Sequence, residues 1–384
     1  MKYRLFDFSS GEGELLVKGG IERVNDHSVA IEQVQSELKD GGWITSETDL
    51  NAVGFKTIMA EGLTGCLELT EQVVESMEKC NYVAPAHNPP YISGIRLFAE
   101  KMPETPLVGL FETAFYQWMP ESSRRYAVPK SWYDAGVRRW GFHGASHKFI
   151  AERSAEILGR EDVASRARNL YVDEAGTQVD GSMFRVVSCH LGGSSSVTGI
   201  LNGAAIGNSM GLSPQSGLPH NNRVGDLDSM AVLHMMRRDG LSVDEVEHAL
   251  CNESGLKGLS GKYNDIRDIQ SAADSGDANA RLALEVFVKS VRHWIGAYMA
   301  QLNGLDALVF TAGIGENRAE IRAEICANMD QIGIELDPSK NSSIKAEEAI
   351  ISSENSTVKV LVIPTNEELV VAREVKRFLE NKQN

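Results

Sequence analysis

The sequence lacks the features that mark membrane, secreted and nucleic-acid-binding proteins. Its 384 residues contain no apolar stretch near the roughly 18 residues that span a bilayer, and residues 1–8 lack the apolar run of a secretion signal. The five cysteines are odd in number and form no CxxC or Cys/His pair at zinc-ligand spacing. Basic residues are outnumbered, 38 Lys and Arg against 53 Asp and Glu, for a formal charge of −15. This deficit argues against binding to nucleic acid or an anionic membrane, and we expect a soluble, cytoplasmic protein.

What the sequence does contain is the composition of a large globular protein rich in glycine. Hydrophobic residues make up 42% and charged residues 24%, which are ordinary globular values, and the length suggests two domains. The 35 glycines are concentrated at particular turns, some of which follow short apolar runs. Such runs predict strands at 107–110, 184–190, 307–311 and 358–363. Apolar residues near a 3.6-residue period predict a helix over 281–303, ended by Gly304. This pattern predicts an α/β fold.

Two of the glycine-rich turns suit a nucleotide. The turn at 191–196 (LGGSSS) follows the strand at 184–190, and the turn at 312–317 (AGIGEN) follows the strand at 307–311. Glycines let the backbone approach a ligand, and a following helix offers N–H groups to phosphate. Neither turn is a Walker A loop or a dinucleotide fingerprint, and a flexible connection remains the alternative for 191–196. We read 173–181 and 352–357 as surface loops.

Four further segments concentrate residues that bind phosphate or transfer protons, each with a structural alternative. APAHNPP at 84–90 fixes a histidine and an asparagine between prolines, or is a rigid surface turn. RRWGFHGASH at 138–147 offers arginine and histidine to phosphate, or is a solvated basic turn. NRVGDLD at 222–228 is a phosphate clamp or an ion-paired loop. PTNEEL at 364–369 supplies oxygen ligands to Mg²⁺ or caps a helix.

In this order, the segments resemble the acetate kinase family, the acetate, propionate and butyrate kinases of the actin/hexokinase/Hsp70-like superfamily. Together with FETAF at 111–115, seven motifs match in family order over nearly the whole chain. The resemblance implies an α/β fold with two ribonuclease-H-like (actin-like ATPase) domains facing across a cleft. The N-terminal domain is expected at 1–113 plus 369–384 and the nucleotide-binding domain at 114–368. A homodimer is also implied.

The resemblance further implies that ATP and a short-chain carboxylate react to ADP and an acyl phosphate, with Mg²⁺ as cofactor. Its catalytic residues map onto His143, Arg223, Glu112 and Lys56. Its substrate pocket maps onto His87, Phe142, Ile58, Ala86 and Pro214. Its nucleotide site maps onto His190, Gly192, Gly193, Ser194, Gly313, Gly315, Glu316 and Asn317, and a metal-associated carboxylate onto Glu367. Such a ring of cations and carboxylates fits phosphoryl transfer, which depends on placement and charge stabilisation.

The sequence departs from the family pattern at four places. It starts at KYRLFD, where the family's NxGSSSxK phosphate loop has just ended, so we expect either a truncated start or reduced or changed catalysis. Lys56 stands for an arginine and loses its planar fork, and Glu112 stands for an aspartate. Ala86 stands for a larger aliphatic residue, so we hypothesise more room than acetate needs. A non-catalytic homologue that binds nucleotide or acyl phosphate as a regulator or scaffold is the alternative, and pyrophosphate is an alternative donor.

Overall fold

A computed structural model describes residues 1–11, 13–21, 27–85, 87–173 and 181–383. The chain forms two compact units, Met1–Gln117 with Asn366–Asn384, and Trp118–Thr365. Within the described residues, no helix combines the length and the apolarity that crossing a membrane requires. The loop predicted at 173–181 lies mostly outside the described residues.

The first unit contains two small sheets and four α-helices among its described residues. A hairpin of β1 and β2 is antiparallel, while the other sheet has the order β3-β5-β4, with β3 parallel to β5. One apolar cluster packs α2 and α3 against β5, and another packs α1 against the hairpin. The elements are β1 Lys2–Asp7, β2 Glu14–Gly20, α1 His27–Asp40, β3 Val53–Thr57, β4 Cys66–Glu68, α2 Glu71–Glu78, α3 Asn88–Lys101, β5 Leu107–Phe111, α16 Glu367–Gln383, and the 3₁₀ turns Glu47–Asp49 and Ala114–Tyr116.

The second unit is built on one six-stranded sheet of order β10-β11-β9-β6-β7-β8. Strands β11, β9 and β6 are parallel, and β10, β7 and β8 extend the sheet in antiparallel fashion. The strands are β6 Arg185–His190, β7 Ser196–Leu201, β8 Ala204–Asn208, β9 Ala307–Thr311, β10 Ala349–Ile350 and β11 Lys359–Val362. The helices are α4 Glu121–Arg124, α5 Lys130–Asp134, α6 Gly144–Ile157, α7 Glu161–Asp173, α8 Ser229–Asp239, α9 Val243–Asn252, α10 Gly255–Ser260, α11 Ile266–Asp274, α12 Ala278–Leu302, α13 Ala312–Asn317, α14 Ala319–Cys326 and α15 Pro338–Ser343, with a 3₁₀ turn at Asp330–Ile332.

The four predicted strands are confirmed as β5, β6, β9 and β11. All five residues of β5 and of β9 are buried, which explains why they read as continuous apolar runs rather than alternating ones. The predicted long helix is α12, whose start the prediction placed three residues late. Asp277 caps that start by accepting hydrogen bonds from the amides of Asn279 and Ala280.

Helix α12 packs on the sheet through an aromatic ring. This ring occupies the space that side chains at two strand positions would otherwise fill. Tyr298 is buried, and its ring lies over Gly199 of β7 and Gly207 of β8. A Cβ atom added to Gly199 would lie 2.5 Å from that ring, and one added to Gly207 would lie 2.9 Å from it. Only glycine therefore fits at these two strand positions while a tyrosine occupies position 298.

One of the local predictions was wrong. The segment 312–317, predicted as a turn, is itself the short helix α13, because Ala312 takes a left-handed conformation with φ of 64° and the helix starts without a loop. The segment 352–357, predicted as a surface loop, is a turn with Glu354, Asn355 and Thr357 exposed, while Ser352 and Ser356 are buried. The hydroxyl of Ser356 lies 2.6 Å from the Val358 carbonyl and 3.0 Å from the Gly333 carbonyl, so its single proton has an acceptor inside the protein.

Candidate active site

The two glycine-rich segments lie side by side in the second unit. They follow the adjacent parallel strands β6 and β9, in which His190 is paired with Thr311. The carbonyl of Leu191 accepts hydrogen bonds from the amides of Ile314 and Gly315, at 2.7 and 3.1 Å. A Cβ atom on Gly192 would lie 3.7 Å from the Cβ of Ala312. Carboxyl ends of parallel strands are where α/β sheets bind ligands, and the structure brings the predicted nucleotide residues together there.

The polar side chains of α13 hold the backbone of this segment. The Glu316 carboxylate accepts from the Ala312 amide at 2.7 Å and from the Thr365 amide at 3.3 Å. The Asn317 amide donates to the Gly313 carbonyl at 2.9 Å. Glu316 thus ties the start of α13 to the chain after β11, which gives this residue a structural function whether or not it touches a nucleotide.

Arg322 supports α13 from below and was not found by sequence reasoning. Its fully buried guanidinium donates to the carbonyls of Gly315 and Glu316, at 2.9 and 3.0 Å. It also donates to the Asn341 side chain and to the carbonyls of Asn341 and Ile344. Its signal in the sequence was weak, because an arginine in a charged helix is usually solvated.

Two histidines meet at the start of α6. The rings of His143 and His190 stack with 4.0 Å between their centroids and an interplanar angle of 22°. His143 has a left-handed backbone with φ of 59° and stands at the N-cap of α6. Its Nδ1 lies 2.8 Å from the Ser196 hydroxyl, and the Nδ1 of His190 lies 2.8 Å from the Ser146 hydroxyl. Phe142, just before this helix, is buried.

Arg223 is buried, and its side chain reaches a second predicted residue, Pro214. The guanidinium donates to the Pro214 carbonyl at 2.9 Å. In the described part of the chain, no carboxylate forms an ion pair with Arg223, so the ion-paired alternative for this segment was wrong; Asp226 and Asp228 bond to backbone amides instead. Burial lowers the pKa of Arg223 to about 10.

His220 anchors the loop that carries Arg223 and was also missed. Its Nδ1 accepts from the Ser195 amide at 2.9 Å, and its amide donates to the Arg223 carbonyl at 3.0 Å. The glycine-rich turn at 191–196 is thereby linked to the 222–228 segment. The predicted residue Gly193 meets Asn221 at the same place, where the backbone amide of Asn221 donates to the Gly193 carbonyl at 3.2 Å.

In the first unit, three predicted residues form an ionic triad, defined by Lys56, Glu112 and Glu367. The Lys56 ammonium lies 3.1 Å from Oε1 of Glu112 and 2.5 Å from Oε2 of Glu367. Partial burial acts to lower the pKa of Lys56, but the two carboxylates outweigh it and hold that pKa well above its usual value. Burial raises the pKa of Tyr91, on which the three charges also act. Tyr91 was missed by sequence reasoning, although it follows the HNPP motif directly.

The HNPP motif forms the start of α3. His87 stands at its N-cap, and the two prolines occupy the first turn, where no amide is needed. The Asn88 amide donates to the carbonyls of Met59 and Met77, at 3.1 and 2.8 Å. Ile58, beside Met59, is buried. Ala86 lies outside the described residues.

The PTNEEL motif caps a helix and contributes Glu367 to the ionic triad. Asn366 caps α16 by accepting from the Leu369 amide at 3.3 Å, which confirms the helix-cap interpretation. Glu367, the first residue of α16, turns toward Lys56. Glu112 and Glu367 both contact the Lys56 ammonium nitrogen. The two carboxylates could therefore bind one Mg²⁺ ion together if the ammonium left its position between them. Their chemistry fits the metal, which binds one or two carboxylates together with substrate phosphates.

The predicted residues thus form one group in each unit. Lys56, Glu112 and Glu367 meet in the first unit; in the second, His143 meets His190, and Gly192 meets the 312–317 segment. The convergence of Glu112 with His143 and Arg223 around one phosphorus atom stays a prediction.

Comparison with known proteins identifies what this chain resembles. The model of the acetokinase family matches residues 17–373. The acetate kinase of Carboxydothermus hydrogenoformans is 38% identical over 100% of this chain and 97% of its own, and that of Clostridioides difficile is 37% identical over 99% and 97%. The crystal structure of Porphyromonas gingivalis acetate kinase has a TM-score of 0.80 at 33% identity, covering 97% of this chain and 88% of that one. A Francisella tularensis propionate kinase also gives 0.80 at 33% identity, covering 93% and 86%. These similarities confirm the predicted fold class.

Proposed function

The chain belongs to the acetokinase family, and on that premise we propose that it transfers a phosphoryl group between ATP and a short-chain carboxylate, giving ADP and an acyl phosphate. The observation that carries the proposal is Arg223. A buried guanidinium that bonds only to a carbonyl within the described chain is costly unless an anion pairs with it. The substrate carboxylate and the transferred phosphoryl group are both anions that a planar guanidinium binds in bidentate fashion.

The remaining residues then share the work of placing and neutralising charge. His143 donates a hydrogen bond to the phosphoryl group in flight, and Lys56 supplies a second positive charge. Glu112 and Glu367 would hold Mg²⁺, which when bound neutralises the phosphates and orients them. The segments 191–196 and 312–317 bind the nucleotide, which makes the second unit the nucleotide-binding domain.

The test is an acyl hydroxamate assay on the purified chain. The protein is incubated with MgATP, hydroxylamine and acetate, propionate or butyrate, and we expect hydroxamate formation that falls at least 10²-fold in Arg223→Ala. Arg267→Ala is the matched control, because Arg267 is exposed and paired with Asp265 in the same unit. Hydroxamate no higher in the unaltered chain than in Arg223→Ala would refute the proposal.

For the acyl group, we propose that propionate or butyrate is preferred to acetate. The resemblance assigns Phe142, Ile58 and Pro214 to acyl binding, and Ala86 stands where family members usually have a larger aliphatic residue. One buried methylene is worth about 0.8 kcal/mol, so a matching pocket gives a roughly fourfold preference for each added carbon. A higher kcat/KM for acetate than for the longer acids would disprove this.

For the donor, we propose ATP rather than pyrophosphate, because the complete AGIGEN segment is held against the 191–196 turn. Turnover measured side by side with each donor tests the choice. The alternative function, a homologue that binds nucleotide or acyl phosphate without turning over, is favoured by the engagement of Lys56 with two carboxylates. Calorimetry that shows tight ADP binding together with an inactive protein would support it.

We also propose that the chain acts as a cytoplasmic homodimer. Helix α8, described in full, has no buried residue and exposes Met230 and Leu233, a composition that favours a covering partner. Sedimentation at several concentrations tests the dimer. A monomer at micromolar concentration would contradict it.

A further inference from the structure

His143 is one end of a row of four hydrogen-bonded side chains, which we name the Ser–His row: Ser188, His147, Ser196 and His143. The Ser188 hydroxyl lies 2.8 Å from Nδ1 of His147, and Nε2 of His147 lies 2.8 Å from the Ser196 hydroxyl. The same hydroxyl lies 2.8 Å from Nδ1 of His143. Ser188, His147 and Ser196 are completely buried. None of these three side chains has an individual role in the function proposed above, although Ser196 ends the 191–196 segment.

The local fold explains why the row forms. His143 and His147 are four residues apart at the start of α6, so their side chains share one face of the helix. Ser188 and His190 are two residues apart on β6 and share one face of the sheet, and Ser196 of β7 is paired with His190. Helix α6 packs on β6, which brings both histidines of the helix to the two serines.

The end of the row at Ser188 fixes the direction in which its protons point. Among the described residues, the Ser188 hydroxyl has no hydrogen-bond partner other than His147, so its proton must point to Nδ1 of His147 to avoid a buried, unmade bond. Burial holds the pKa of His147 well below its usual value, and His190 acts in the same direction, so His147 is neutral. Its one proton is then on Nε2 and points to Ser196.

The Ser196 hydroxyl, which accepts this proton, has only one other partner in the described chain, and that partner is His143. Its own proton therefore points to Nδ1 of His143. We propose that Ser196, His147 and Ser188 are positioning residues that hold His143 as the tautomer protonated on Nε2, ready to donate a hydrogen bond from Nε2 to an anionic oxygen of the substrate. The inference rests on the proposed function for its consequence, but the tautomer itself is a property of the free protein.

The reverse arrangement is unfavourable at the far end of the row. A proton on Nδ1 of His143 would turn the Ser196 hydroxyl toward Nε2 of His147, and the His147 proton would move to Nδ1. The Ser188 proton would then face no acceptor in the described chain. Two titratable groups that face His143 are His147 on its own helix and His190, whose ring stacks on it from β6, and neither of these two is an anion that would favour the imidazolium.

Nitrogen NMR of the full chain tests the inference directly. With ¹⁵N-histidine labelling and long-range ¹H–¹⁵N correlation at pH 7.5, and assignment by the loss of signals in His143→Gln, we expect His143 to be protonated on Nε2 in at least nine of ten molecules. In Ser196→Ala, Nδ1 of His143 has lost its hydrogen-bond donor. We therefore expect the two His143 tautomers to differ in population by less than threefold. Ser196→Thr, which keeps the hydroxyl, should restore the original shifts.

Two further variants separate positioning from general damage. Ser146→Ala is the matched control, because it removes the corresponding hydroxyl from His190 and should leave the His143 tautomer unchanged. Ser188→Ala acts at the far end of the row, away from any substrate, and should also mix the His143 tautomers; it serves as the test if Ser196→Ala fails to fold. A His143 protonated on Nδ1 in the unaltered protein, or a tautomer unchanged in Ser196→Ala and Ser188→Ala, would overturn the inference.

Kinetics then connect the row to catalysis. In the hydroxamate assay, we expect Ser196→Ala to lower kcat about 10-fold with KM changed less than twofold, since the hydrogen bond from His143 strengthens in the transition state. An unchanged kcat would remove the catalytic consequence. If the chain proves inactive with every carboxylate, the proposed function fails while the NMR result still decides the tautomer.

Discussion

Replacing Lys56 by glutamine is expected to make the first unit depend on magnesium. The oxygens of Glu112 and Glu367 lie 3.1 and 2.5 Å from the same ammonium nitrogen, so they are at most 5.6 Å apart. Without the ammonium, two negative charges face each other at that separation. Coulomb's law gives a repulsion of ~0.7 kcal/mol in water and ~3 kcal/mol at an effective dielectric constant of 20. Since the Lys56 side chain is 36% exposed, the lower half of that range is expected.

A thermal melt with and without the ion measures the effect. At about 2–4 °C per kcal/mol, Lys56→Gln should melt several degrees below the unaltered chain in EDTA. Mg²⁺ at ten times its dissociation constant adds about 1.4 kcal/mol to the folded state, so most of the loss should return on titration. The unaltered chain should gain less, because its own ammonium competes with the ion.

Lys39→Gln provides the matched control. Lys39 belongs to the same unit and pairs at 2.6 Å with one carboxylate, that of Glu47, in an exposed position. Its removal should cost under about 1 kcal/mol and leave the response to Mg²⁺ unchanged. The reasoning fails if Lys56→Gln melts with the unaltered chain in EDTA, or gains no more from Mg²⁺ than Lys39→Gln does.

Three further outcomes follow from the described contacts. Gly255→Ala should unfold at lower urea than Gly261→Ala: both positions have positive φ, but a Cβ at 255 would lie 2.2 Å from a backbone oxygen and one at 261 meets nothing within 4 Å; equal midpoints would contradict this. Arg322→Met removes the arginine donor from four carbonyls, of which those of Gly315 and Asn341 are buried, so we expect a loss of at least about 3 kcal/mol in urea and weaker ADP binding by calorimetry; unchanged affinity would show that α13 does not need this support. Burial raises the pKa of Cys66 and of Cys326 to about 12, which leaves a thiolate fraction on the order of 10⁻⁴ at pH 8; Ellman's reagent should therefore label both rapidly only in urea, and rapid labelling of either in the native protein would refute the assignment.

Strands β9 and β11 of the second unit could be predicted because burial on both faces leaves a continuous apolar run in the sequence. Residues 307–310 of β9 and 360–362 of β11 are consecutive apolar residues bounded by turn signals. The 3.6-residue period of α12 is equally explicit. Helix α13 was not predictable in this way, because its start depends on the left-handed Ala312 and on a carboxylate that also binds Thr365, 49 residues further on.

The candidate site also has features that the local sequence predicts and features that depend on tertiary contacts. The local composition of motifs such as GFHGASH predicts histidines that bind phosphate or transfer protons. The structure brings His143 and His190 into contact. The partners of these groups are set by tertiary structure instead. Glu367 lies 311 residues from Lys56, and Ser196 reaches His143 only through the register of β6 with β7 and the packing of α6. No spacing rule within one segment encodes such pairs.

The ring of Tyr298 over two glycines has an evolutionary consequence. The side chains at positions 199, 207 and 298, on three different elements, share the space between α12 and the sheet. A larger side chain at one of these positions therefore requires a smaller one at another. Lineages that shrink residue 298 to leucine or alanine are expected to acquire alanine, serine or valine at 199 or 207 within the same descent. If the side-chain volumes at positions 199, 207 and 298 vary independently among relatives, the distance between the helix and the sheet must change instead of the side chains compensating for one another.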